Sequence, residues 1–434
     1  MRPLDDALGF GSGALRFFRM GGQMKALLRW IVATYLYCAS TLAFAGNLPG
    51  GTGTNFWVGY NEAWFGQNYL NSLSSNPYFY PGLPSSSFFD PTFVDKIFAG
   101  MASGGAKIVR ILVFTAVQGI VLDTSKTKTL GLTDDLIGNS AKGILSNLKS
   151  VFTMARDHGL KVYVTAVNGV DMTKNNTDIT GLRPYFSNLL TNTKLNEGRD
   201  AFKTNALGPL LKVLNQYNLS NPGVIYAFEL INEIEAPLNS GYFGWSGARD
   251  WIKDVATFVK LKSPWLPVTA SAGWGWAVTE ITFGLFSGLG LDFYDLHVYA
   301  DSGQYSGETA LCNKVSADGV PIILGEYGQK SQTISDSLQT TATYNFINGA
   351  KNFIGANGYC FWAALAWKYE ASGAQSQPWF GYLALPKYCS KYPSGGSSCD
   401  SYPQLSGPPY PSCPSKTCQN PYVRPAYSVI QYPP

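Results

Sequence analysis

Residues 224–233 read VIYAFELINE, an apolar run of strand length that closes on an Asn-Glu pair. Runs of four to eight apolar residues are the length of strands rather than helices. The same kind of run recurs at 55–60 (NFWVGY), 107–114 (KIVRILVF), 161–167 (KVYVTAV), 267–271 (PVTAS), 292–298 (DFYDLHV), 321–325 (PIILG) and 358–362 (GYCFW). Residues 94–104, 141–158, 197–217, 247–261 and 333–355 read as helices between them. Strands that alternate with helices pair in parallel, because each return crossover lays a helix on the sheet. Eight such units predict an α/β chain folded as a (β/α)8 TIM barrel, a single domain with a Cys/Pro-rich C-terminal segment. An open doubly wound sheet fits less well. No Gly-x-Gly-x-x-Gly follows the first run, and there is no phosphate loop.

The flanks carry other signals. Lys25 and Arg29 precede an apolar run, Trp30–Ala45, that ends Ala43-Phe44-Ala45. That is the pattern of a secretory signal peptide, and the run is short for a membrane anchor. The expected division is 1–45 as extension plus signal peptide, 46–386 as catalytic barrel, and 387–434 as a disulfide-stapled tail packed on the barrel. Seven cysteines include Cys38 in the signal-like run, which leaves Cys312, Cys360, Cys389, Cys399, Cys413 and Cys418. An even number in an exported chain points to disulfides, and six allow 15 pairings. No Cys-x-x-Cys pair suggests zinc, and 2 His argue against a His-rich site.

Composition narrows the function. Lys plus Arg number 32 against 28 Asp plus Glu, a formal charge of +4 with no basic run, so nucleic acid is not an expected partner. Charged residues are 14% of the chain, and aromatics match them at 14% with 11 Trp and 26 Tyr. Such a chain suits a secreted protein that handles neutral polymers.

Chemistry collects at the ends of the runs. The fourth closes Asn232-Glu233 and the seventh closes Gly325-Glu326. Two carboxyl groups from different strands of one barrel can converge over its C-terminal opening, the arrangement that glycosidic cleavage needs. Arg110 lies in the second run, and His297 and Tyr299 lie two apart, on one face of the sixth. Glu229 reads as a satisfied polar residue inside the barrel. His158, before Gly159, reads as a helix C-terminus.

In order and spacing, Arg110, Asn232-Glu233, His297-x-Tyr299, Glu326 and Trp362 resemble glycoside hydrolase clan A, most closely family 5, the cellulase and mannanase relatives. The resemblance covers about residues 54–367. It implies a retaining O-glycosyl hydrolase, an endo-β-glycanase without cofactor or metal, with Glu233 as acid/base and Glu326 as nucleophile. The carboxyl groups of a retaining pair stand roughly 5–5.5 Å apart. By the same resemblance Asn232 contacts the sugar 2-hydroxyl, Tyr299 hydrogen-bonds the nucleophile, Arg110 holds its charge, and Trp362 floors the −1 sugar. Asn168 ends the third strand where many cellulase-like members carry His, which leans towards mannan. Trp64, Trp274, Trp276 and Trp367 follow strands and offer flat faces to sugar rings. The long insertion 61–91 is expected to form one cleft wall. The expected protein is a secreted monomer, extracellular or periplasmic, without a membrane anchor once its signal is removed. Its partner is a polysaccharide or oligosaccharide of mannan or β-glucan type. A transglycosylase would keep all of these residues, and an inactive sugar-binding barrel would be expected to lack one glutamate. A serine hydrolase is a poor fit, since no Gly-x-Ser-x-Gly occurs.

Overall fold

The computed structural model describes residues 48, 56–62, 91–117, 119–132, 143–173, 180–273, 277–299, 308–328, 336–355, 358–366, 368–370, 381–384 and 422–423. Eight strands form one sheet. They are β1 Trp57–Asn61, β2 Ile108–Leu112, β3 Lys161–Asn168, β4 Ile225–Asn232, β5 in two pieces (Val268–Thr269 and Ser271–Ala272), β6 Tyr294–Val298, β7 Ile322–Tyr327 and β8 Phe361–Ala366. Each pairs in parallel with the next, and β8 pairs with β1. The break in β5 completes the ring, because its first piece pairs with β4 and its second with β6. The sheet is a nearly closed (β/α)8 barrel.

Helices fill the crossovers: α1 Pro91–Ser103, α2 Ile144–Asp157, α3 Arg183–Thr191, α4 Gly208–Ser220, α5 Trp245–Lys262, α6 Ala277–Thr282, α7 Glu308–Asp318 and α8 Asp336–Asn352. Their spacing explains their docking. On α2 the buried set Ile144, Leu148, Val151, Phe152 and Ala155 recurs at three- and four-residue steps, which lines one face of a helix. On α5 the equivalent set is Ala248, Trp251, Ile252, Val255, Ala256 and Val259. Trp251 is fully buried and donates from its indole nitrogen to the Leu189 carbonyl on α3. Removing that side chain would cost about 3–5 kcal/mol. The segment before α4 passes through a π turn, Lys203–Leu207, just ahead of Pro209, which has no N–H for a regular helical bond.

Alternate residues of the strands sort into two cores. Val109, Ile111, Val162, Val164, Phe228, Leu230, Tyr294, Leu296, Ile322 and Leu324 join the helices in one large cluster. Ile108, Tyr163, Ala227, Phe293, Ile323, Ala363 and Leu365 form a second, separate cluster with Leu48, Tyr226, Trp57 and Trp362. Side chains two apart share a strand face, so the second cluster is the barrel interior.

Several boundaries differ from the sequence reading. Strand β8 begins at Phe361, three residues later than expected, and continues to Ala366. Gly358–Tyr359 instead pairs antiparallel with Ile354–Gly355, a short hairpin ahead of the strand. Helices α3, α6 and α7 were not among the expected segments. Cys312 on α7 is disulfide-bonded to Cys360, the residue before β8. Cys389, Cys399, Cys413 and Cys418 lie outside the described residues, as do the signal-like segment 1–45 and most of the insertion 61–91. Within the expected tail, Tyr422–Val423 pairs antiparallel with Gly381–Ala384, which pairs in parallel with Lys368–Glu370. Among the described residues no helix is long and apolar enough to cross a membrane.

Candidate active site

The C-terminal ends of β2, β4, β6 and β7 bring their polar side chains to one place. Arg110, from the middle of β2, is fully buried. Its Nε donates to Glu229 at 2.8 Å, its Nη2 to Asn232 Oδ1 at 2.7 Å, and its Nη1 to Glu326 Oε1 at 2.5 Å and to Asn61 Oδ1 at 2.8 Å. One guanidinium thus holds two carboxylates and two amides from three other strands, a use of its fixed fork of donors. Asn61 is fixed in turn, because its Nδ2 donates to the carbonyls of Gly325 and Ala366. Glu229 also accepts from the Thr165 hydroxyl at 2.6 Å, so it is a paired residue of the barrel interior.

Glu233 is the first residue beyond β4. Its φ of 51° lies in the left-handed region, rare for a residue with a side chain. Such strain is held only where the surroundings fix it. Here the Glu233 N–H donates to Ser271 Oγ on β5 at 2.9 Å. Gly273 has no side chain, and a Cβ there would run into the Glu233 carboxylate. Asn232 is steadied by donating to Asn168 Oδ1 at 2.8 Å.

Glu233 and Glu326 meet at the imidazole of His297. Its Nδ1 lies 3.1 Å from Glu233 Oε1 and 3.3 Å from Glu326 Oε2. One oxygen of each carboxyl therefore stands within 4.8 Å of the other. The Tyr299 hydroxyl donates to Glu326 Oε2, while its residue is 38% exposed at the mouth of the site. Burial pushes the Glu326 carboxyl above the usual carboxylate range, and His297, Arg110 and the Tyr299 hydroxyl pull it back. Burial lowers His297 from its ordinary value to about 4, so the ring is neutral near pH 7.

The structure thus brings Arg110, Asn168, Asn232, Glu233, His297, Tyr299 and Glu326 together. It separates Trp362 from them. Glu326 and Tyr327 end β7, and Tyr327 is level with Ala366 at the end of β8. Trp362 sits at the start of β8, packed against the apolar interior cluster at the opposite end of the barrel. It cannot floor a sugar held over Glu326. The residue that follows Ala366 is Trp367, which lies outside the described residues, as do Trp64, Trp274 and Trp276.

Sequence reasoning missed Asn61, Thr165, Tyr163, Ser271 and Asp295. Asp295 is fully buried on β6 and accepts from the Tyr163 hydroxyl at 2.6 Å. Its signal was available, since it lies two residues before His297 and so shares its face. Two sets of side chains, Glu233/His297/Glu326 and Glu229/Asp295/His297, each gather ligand atoms within 4.8 Å. Arg110 already supplies a positive charge to Glu229 and Glu326.

No family model matches the chain, and no curated protein matches it. Solved structures do. The β-mannanase of the blue mussel Mytilus edulis is 16% identical with a TM-score of 0.49, over 72% of this chain and 86% of that one. The β-1,4-D-mannanase of Cryptopygus antarcticus is 16% identical with a TM-score of 0.49, over 75% and 88%. The β-1,4-mannanase of the sea hare Aplysia kurodai is 13% identical with a TM-score of 0.47, over 80% and 97%.

Proposed function

We propose that this chain is an exported glycoside hydrolase that cleaves β-linked polysaccharide with retention of configuration, with mannan the first substrate to test. The observation that carries the reading is the placement of Glu233 and Glu326. They come from β4 and β7, share the C-terminal end of the barrel, and put carboxyl oxygens within 4.8 Å of each other across His297 Nδ1. That spacing is shorter than the roughly 6.5–9.5 Å of an inverting pair and supports direct attack by one carboxylate.

Glu326 is the nucleophile. Two donors, Arg110 and the Tyr299 hydroxyl, hold its two oxygens, which favours the charged form and aims it. In the first step an oxygen of Glu326 bonds to the anomeric carbon. The bond to the leaving oxygen breaks, and Glu233 gives that oxygen its proton. In the second step water attacks the same carbon, Glu233 takes the water's proton, and the bond to Glu326 breaks. Asn232, held between Arg110 and Asn168, presents its amide beside the pair for the sugar 2-hydroxyl. Trp367, next in the chain after Ala366, takes the stacking role first given to Trp362. Asn168 at the end of β3, where a His would point to cellulose, is the reason to begin with mannan. The signal-like segment supports export.

The test is reducing-sugar release from mannan, β-glucan, xylan and galactan, with product anomers followed by NMR. Release from at least one polymer with the β-anomer formed first is expected. Products that are larger than the substrate would mean transglycosylation, and an α-anomer as first product would remove the retaining mechanism.

A further inference from the structure

Below the two glutamates lies, besides Glu229, a further buried carboxyl that the reaction does not use. Asp295 faces Tyr163 from β3, Glu229 from β4, Arg110 from β2 and Glu326 from β7, and is fully buried among them. Charge counting decides its state. Arg110 makes ion pairs with Glu229 at 2.7 Å and with Glu326 at 2.5 Å, so its single positive charge is already shared between two carboxylates. An ionised Asp295 would be a further buried anion with no cation of its own, which is costly enough that such groups neutralise instead. Burial and the charge of Glu229 do push its carboxyl well above the ordinary range, against the pull of Arg110 and the Tyr163 hydroxyl.

The geometry fixes where a proton on Asp295 must point. Oδ2 accepts from Tyr163. Among the described residues Oδ1 has no hydrogen-bond partner, and neither has His297 Nε2. These two buried atoms face each other at 3.6 Å, a few tenths of an ångström beyond a bond, roughly the tightening that site hydrogen bonds undergo in complexes. The pocket for this carboxyl is built in, because a Cβ on Gly325 would collide with both Asp295 oxygens. The Gly of the Gly325-Glu326 pair is what lets Asp295 lie beneath the nucleophile.

We propose that Asp295 is a positioning residue that stays protonated, donates to His297 Nε2, and thereby holds the neutral ring with its proton on Nδ1, between Glu233 and Glu326. A ring N–H placed there meets negative charge on Glu326 at rest and on Glu233 once it has given up its proton. It acts as a preorganised donor for charge that develops during the reaction. The arrangement is the reverse of a serine-protease triad, in which an ionised aspartate accepts from the ring. The catalytic consequence rests on the glycosidase reading; the tautomer itself does not.

The test separates the two. The chain has 2 His, so NMR of isotope-labelled histidine shows two rings, and a His158→Gln variant identifies which is His297. Near pH 7 the wild-type spectrum should show a neutral His297 protonated on Nδ1. A ring protonated on Nε2, or on both nitrogens, overturns the proposal whatever the activity. Asp295→Asn supplies the deciding variant, because an amide can accept from Tyr163 and donate to Nε2 just as a neutral acid does. It should keep the Nδ1–H tautomer and turnover within about threefold, whereas loss of an ionised aspartate under a catalytic ring costs about 10⁴-fold. Asp295→Leu, of the same branched shape but without a donor, should lower kcat on the order of 10²-fold with KM little changed. A collapse of turnover in a folded Asp295→Asn protein, or full activity in Asp295→Leu, would overturn the catalytic role.

Discussion

The barrel interior divides into two halves along the same strands and the same faces. Towards the strand starts it is apolar: Ile108, Tyr163, Ala227, Phe293, Ile323 and Ala363 pack with Trp57 and Trp362. Two residues further along, the same positions carry Arg110, Thr165, Glu229 and Asp295, bonded through charges rather than contact. The lower half stabilises by burial, at roughly 25 cal/mol per Å² of apolar surface. The upper half contributes little net stability, since desolvation of buried ions offsets their attraction. What it contributes is position. Each of these polar side chains is oriented by at least one neighbour from another strand, and this is the half that touches the proposed substrate.

The largest expected effect tests that division directly. Glu326→Ala should remove activity on the order of 10⁵-fold, as loss of a nucleophile does, and leave the thermal midpoint unchanged or higher. Glu233→Ala should slow natural polymers by roughly 10²–10⁴-fold while sparing the first step on an activated aryl glycoside. Added azide should then give the β-glycosyl azide from Glu233→Ala and the α anomer from Glu326→Ala. Reversed anomers would swap the two roles.

Next in size is the guanidinium. Arg110→Met leaves Glu229 and Glu326 buried without their cation, and should cost about 3–5 kcal/mol in denaturant unfolding. A loss under 1 kcal/mol would show that the network is looser than the bonds in it suggest. The corresponding change in the lower half, Phe293→Ala, should also cost about 3–5 kcal/mol. It should spare kcat of the folded protein, because nothing at that level reaches the glutamates.

These two halves were not equally legible. Alternation of strands and helices gave the ring, and the carboxyl, guanidinium and imidazole groups of the upper half, Asp295 excepted, were found because their residue types carry chemistry. Their partners were not. Asn61, Thr165 and Ser271 are ordinary residues until the register brings them beside Arg110, Glu229 and Glu233. The error at Trp362 has the same origin. Gly358–Tyr359 has strand character but pairs back on Ile354–Gly355, so the strand starts later and its rim end falls at Ala366. A shift of that size carries a residue from one end of the barrel towards the other.

The pH dependence of stability sharpens the comparison at intermediate size. His297 is ordinarily near 6.5 and is lowered by burial to about 4 in the folded chain. Its neutral form therefore contributes stability above about pH 6.5 that is lost as the pH falls towards 4, by at most about 3 kcal/mol. Asp295 and Glu326 are shifted upward and act in the opposite sense, gaining stability as the pH falls. The wild-type curve should accordingly be flatter than that of His297→Gln, which keeps the carboxyl contribution alone and should gain relative stability on acidification. Parallel urea midpoints from pH 7 to 4 would remove this assignment.

The smallest expected effect compares two tryptophans on one strand and its continuation. Trp362 is partly buried against the apolar cluster at the strand starts, where an indole can add packing but cannot reach a sugar above Glu326. Trp362→Leu should therefore lower stability by about 1–2 kcal/mol through lost packing and leave KM and kcat unchanged. Ala366, which precedes Trp367 in the chain, ends β8 level with the end of β7. Trp367→Leu should leave the thermal midpoint nearly unchanged and lower kcat/KM on polymer by roughly 10-fold or more. That ratio is the loss of about 1.4 kcal/mol of ring stacking. Unfolding curves and Michaelis parameters on the same two preparations read both axes. If Trp362→Leu impaired turnover while Trp367→Leu impaired only stability, the assignment of the two ends of the barrel would be inverted, and the cleft would have to be sought at the strand starts.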